Sequence, residues 1–118
     1  MLKVIAEDFI KLDCVETVMP LYQELVEKTR QEPLCLSYEL FIDHQDAGHF
    51  IFVEEWPDRA ALDAHCQTEH FRRLVPLINQ HQSKPCTFLF MQPFASEKGQ
   101  GAKKSPQSGV NGFSNTVL

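Results

Sequence analysis

The chain has 118 residues, 43% of them hydrophobic and 23% charged, which is enough for one domain with a modest core and too little for two. Its net charge of -5, from 16 acidic and 11 basic side chains, repels phosphate backbones and anionic headgroups and argues against a nucleic-acid partner. No apolar run approaches the roughly 20 residues of a spanning helix. Lys3, Glu7, Asp8 and Lys11 interrupt the one candidate near the start, so neither membrane insertion nor a signal peptide is expected.

In chain order, Leu2 to Ile10 reads as a strand. Asp13, with Glu16 three residues on, reads as the capping box of a helix. Val15, Val18, Met19, Tyr22, Leu25 and Val26 recur at helical spacing and mark its buried face. Pro20 removes one backbone donor, predicting a kink or a late start, and Glu32-Pro33 ends the helix. Cys35 to Asp43 is a second strand, His44 to Gly48 a turn, and His49 to Trp56 a third strand antiparallel to the second. A short helix starts at Pro57-Asp58 and reaches about Gln67, Thr68 caps a further one to about Gln80, and Thr87 to Met91 lies in a fourth strand. The order is βαββαβ. From residue 95 onward the composition shifts: residues 95–118 hold four of the five glycines, four serines and three lysines, the profile of a flexible tail. The domain is thus residues 1–94. Cys14, Cys35, Cys66 and Cys86 form no CxxC pair and read as thiols in a reducing cytoplasm.

Val4-Ile5-Ala6, Leu40-Phe41-Ile42, Phe50-Ile51-Phe52-Val53 and Phe88-Leu89-Phe90-Met91 are apolar at successive positions, so both faces of the sheet are apolar. Helices from so short a chain cover one face only. The other is expected to pack on the same face of a second copy, giving a homodimer.

The segment FIFVEEWPDRAALDAHCQTEHF, Phe50 to Phe71, resembles the antibiotic biosynthesis monooxygenase family. Its marks are a strand ending in Glu-x-Trp (Glu54, Trp56), a helix with His65, and His70 followed by Phe71. The stretch from Thr29 to Leu40 looks like the family's post-helix segment, with Leu34 in place of a usual glycine. The resemblance implies an α+β, ferredoxin-like protomer forming a dimeric α+β barrel, with a pocket between helices and sheet. Some members oxygenate quinols or polycyclic phenols with dioxygen and without metal or flavin. The pattern of haem-degrading relatives is not met, because His65 stands where those have tryptophan and no histidine lies near Val75.

Cofactor-free oxygenation requires a base or hydrogen bond that stabilises a phenolate, apolar walls that exclude water, and room for oxygen. His65 and His70 are candidate proton carriers, since imidazole is the side chain suited to proton traffic near neutrality. Glu54 shares the even-numbered face of the third strand with Phe50, Phe52 and Trp56, whereas Glu55 points away. It is the third candidate catalytic group. Phe50, Phe52, Trp56, Phe71 and Tyr38 supply candidate pocket walls for a small hydrophobic aromatic substrate. A structural role at helix ends or in the core is the alternative for each of these residues.

No metal and no cofactor are expected. His65 and His70, five apart, match no HExxH arrangement, and no glycine-rich phosphate loop occurs. The function indicated is a cofactor-independent monooxygenase acting on a quinol or related arene. A non-catalytic ligand-binding or stress-associated dimer, or an isomerase of the same fold, remains open.

Overall fold

The computed structural model describes residues 1–95; apart from Ala95, the predicted tail lies outside them. Four strands, β1 (Leu2–Ile10), β2 (Ser37–Asp43), β3 (Asp46–Trp56) and β4 (Gln82–Met91), form one antiparallel sheet in the order β2-β3-β1-β4. Three helices, α1 (Val15–Arg30), α2 (Arg59–Cys66) and α3 (Glu69–Asn79), complete a ferredoxin-like α+β fold. Along β1 and β3 burial alternates with the pleat. Val4, Ala6, Asp8 and Ile10, with Phe50, Phe52, Glu54 and Trp56, face the helices and are buried.

The helix starts show which local signals prevail. Asp58 accepts the Ala61 amide at 2.9 Å and starts α2. Thr68 accepts the Phe71 amide at 3.3 Å and starts α3. The expected cap at Asp13 does not form: the chain makes a 3₁₀ turn over Leu12–Cys14, and α1 begins at Val15 without a side-chain cap. Pro20 neither delays nor breaks α1, which runs on to Arg30. The buried face of α1 is Val18, Tyr22, Leu25 and Thr29, while Met19, placed on that face by spacing alone, is 42% exposed.

Strand β4 begins five residues earlier than the apolar pattern indicated. Its polar half, with Pro85, escapes a pattern search because β4 is an edge strand, where a missing amide donor is tolerated. The register slips between Glu7/Thr87 and Phe9/Lys84, a bulge opposite Asp8. Strand β3 likewise starts at Asp46, inside the expected turn. Gly48 is the one residue that fits there, since a Cβ would stand 2.3 Å from the Ile10 carbonyl oxygen.

Candidate active site

Three pieces of chain meet at one carboxylate. The first is the exit from α1, where the Glu32 amide donates to the Thr29 carbonyl at 3.0 Å and the Glu32 carbonyl accepts from Cys35 at 3.1 Å. Pinned at both backbone groups, Glu32 projects its side chain toward the junction of α2 and α3. The second is the end of α2, carrying His65, and the third is the first turn of α3, carrying His70. Thr68 between them donates its hydroxyl to the His65 carbonyl at 2.7 Å while capping α3. This break turns both imidazoles toward Glu32, whereas one unbroken helix would set positions 65 and 70 on different faces.

Glu32 Oε2 accepts from His65 Nδ1 at 2.9 Å and from His70 Nε2 at 2.6 Å. Burial would raise the Glu32 pKa, but the hydrogen bonds and charge of His65 and then His70 outweigh it and hold the carboxyl below its ordinary value. It is therefore an anion that can only accept, and the Nδ1 of His65 carries hydrogen. In the Nδ1–H tautomer Nε2 of His65 is a lone pair, and this atom is buried and has no partner among the described residues.

The His65 ring packs among aromatics: Trp56 at 4.7 Å between ring centroids, Phe71 edge-on at 5.0 Å and Tyr38 at 5.4 Å. Trp56 Nε1 donates to Glu54 Oε1 at 2.9 Å, which leaves Glu54 Oε2 buried without a partner among the described residues. Burial pushes the Glu54 carboxyl up to about 8, so at pH 7 it is mostly the neutral acid. With Oε1 occupied as an acceptor, the proton sits on Oε2. Tyr38 lies directly across the sheet from Glu54. Its buried hydroxyl has Thr29 as a polar neighbour but makes no well-formed hydrogen bond among the described residues, and burial, then the neighbouring Glu54, push its pKa far above the usual phenol value.

The residues singled out in the sequence therefore fall into two groups. His65, His70, Glu54, Trp56, Phe71 and Tyr38 converge, and Phe52 joins them through Tyr38 at 5.3 Å. Phe50 instead stacks on Tyr22 at 4.6 Å beside buried Asp8, which accepts the Tyr22 hydroxyl at 2.5 Å. Glu32 was missed. Sequence reasoning treated Glu32-Pro33 as a helix stop; the signal was a carboxylate at a punctuated helix exit, 33 residues from the first histidine it serves.

The family profile described as Antibiotic biosynthesis monooxygenase matches residues 1–77, a span holding Glu32, Glu54, Trp56, His65 and His70. The chain belongs to the antibiotic biosynthesis monooxygenase family. A crystal structure of an antibiotic biosynthesis monooxygenase is similar with a TM-score of 0.78 and 68% identity, over 79% of this chain and 98% of that one. PA3566 from Pseudomonas aeruginosa gives 0.73 and 30% identity, over 80% of this chain and 94% of that one. Uncharacterized protein sll1783 of Synechocystis sp. is 38% identical over 76 residues, 64% of this chain and 52% of that protein. This chain thus spans about half the length of that curated relative. Like other members of the antibiotic biosynthesis monooxygenase family it carries a ferredoxin-like sheet, and among the described residues no helix is long and apolar enough to cross a membrane.

Proposed function

We propose that the protein is a cofactor-independent monooxygenase that oxidises a small hydrophobic quinol or related arene with dioxygen. The observation that supports it most is that His65, whose ring packs on Trp56, and Glu54, which accepts the Trp56 N–H, each keep one buried polar atom, Nε2 and Oε2, without a partner among the described residues. His65 Nε2 takes the phenolic proton, and Glu32 stabilises the imidazolium through Nδ1. Glu54 Oε2 and the Tyr38 hydroxyl donate to substrate oxygens. The electron-rich phenolate gives one electron to dioxygen, the resulting pair of radicals combines to a ring hydroperoxide, and loss of water leaves a carbonyl. One hydroquinone and one dioxygen thus yield one hydroxyquinone and one water. Oxygen uptake against a panel of hydroquinones tests the reading: turnover is expected with the parent and a fall of about 10²-fold or more in His65→Ala. Uptake no faster than the spontaneous reaction, or equal in both proteins, would refute it and favour the ligand-binding alternative.

The active unit in this reading is a homodimer. Across the uncovered face of the sheet Val53, Ile5 and Leu89 line up on β3, β1 and β4, with Phe41 beside Ile51 on the β2 side. Phe41 and Leu89 are 50% and 54% exposed, an apolar stripe that a second copy of the same sheet would cover. Sedimentation at micromolar concentration should return twice the chain mass, and Val53→Glu should halve it. A monomeric parent would end this proposal.

A further inference from the structure

The Glu32, His65 and His70 group has a use that acid–base chemistry does not exhaust. One ligand atom from each residue lies within 4.8 Å of the other two, and the nitrogens that face Glu32 Oε2 are His65 Nδ1 and His70 Nε2. We propose that these three side chains form a divalent-cation site of the zinc class.

The donor set is two imidazoles and one carboxylate, a combination that holds Zn²⁺ or Co²⁺ through three protein atoms and leaves further positions for water. Ligand atoms about 2.0–2.1 Å from a tetrahedral ion stand roughly 3.4 Å apart, so the 2.6 and 2.9 Å contacts to Glu32 would open by roughly 0.5 to 0.8 Å, and the two imidazole atoms, within 4.8 Å of each other, would close by up to about 1.4 Å. The backbones that carry the three side chains are fixed by the Glu32 turn and by Thr68. A carboxylate oxygen is a ligand as it stands, and an imidazole can free the required nitrogen by carrying its hydrogen on the other one. Access exists from one side: the Glu32 and His70 side chains are 11% and 13% exposed, while His65 is closed off. An ion on Nδ1 would put the hydrogen of His65 on Nε2, so the metal-bound form would lack the base of the proposed oxygenation and the ion would act as an inhibitor, not as a cofactor.

Titration of the untagged protein with Co²⁺ tests the site without reference to oxygenase activity, because bound cobalt with nitrogen and oxygen ligands acquires a visible absorption band. One Co²⁺ per chain should bind saturably, and Zn²⁺ should displace it. His70→Ala, on the partly exposed first turn of α3, and Glu32→Gln, which keeps the shape, should each weaken binding by about tenfold or more. His49→Ala serves as the control, since His49 sits with Asp43 and Glu7 in a separate ionic group, and it should bind as the parent does. Absence of saturable binding up to millimolar metal, unchanged binding in both site variants, or loss of binding in His49→Ala would overturn the proposal.

Discussion

Replacing Glu32 by alanine should reduce the rate of quinol oxidation by about 10²–10³-fold, with kcat and kcat/KM falling together. Glu32 touches no substrate in the proposed reaction; it acts through His65 and is a positioning residue. Among the described residues its Oε2 is the sole hydrogen-bond partner of either imidazole ring. Without it the tautomer and orientation of the buried His65 are no longer set, and the developing imidazolium has no counter-charge. KM should hardly move, because the aromatic walls and Glu54 remain. Glu32→Gln should recover part of the loss, since an amide oxygen can still accept from both rings while the charge is gone. Steady-state oxygen uptake by the three proteins, each shown to be folded by circular dichroism, checks the order parent, glutamine, alanine. Equal kcat in parent and alanine variant would remove Glu32 from the mechanism.

The second large effect is on stability. Glu54, pushed up to about 8 by burial from an ordinary 4.5, keeps its proton in the folded protein across a range where the unfolded chain has released it. The native state binds more protons there, so stability falls as pH rises. The contribution is complete below about pH 4.5 and is lost as pH climbs through 8. At about 1.4 kcal/mol per pKa unit it amounts to a few kcal/mol. Asp8, raised by burial, and His49, raised chiefly by its hydrogen bond to Asp43, have the same sign. Glu32, held below its ordinary value, loses its contribution only below pH 4.5. Urea midpoints for the parent should therefore drop between pH 5 and pH 9, and Glu54→Gln should show a distinctly shallower drop. Glutamine keeps an acceptor for the Trp56 N–H and never ionises. Parallel curves for the two proteins would mean that Glu54 is not buried as an acid.

The fold was legible because the pleat period and the caps are short-range signals. Even-numbered Phe50, Phe52, Glu54 and Trp56 face inward as the alternation requires, and Asp58 and Thr68 cap the helices they precede. Asp13 misled because a good cap residue is only an offer, which a 3₁₀ turn here declines. The polar first half of β4 was invisible for the opposite reason: its strand identity comes from pairing with β1, a contact between residues far apart in the chain. The same limit applied to the site. His65, His70 and Glu54 were found as residue types near a motif, but the carboxylate joining the histidines belongs to another element, and no local period relates it to them.

Trp56 is the one tryptophan in the chain. Its ring lies against His65, and its N–H is tied to Glu54. The protein therefore carries its single indole fluorophore at the one place where chemistry is proposed. Tryptophan emission is quenched by nearby proton donors and by energy transfer to quinonoid rings. Excited to the red of the absorption of Tyr22 and Tyr38, the protein consequently reports on the ionisation and occupancy of its own site, undiluted by signal from elsewhere in the molecule.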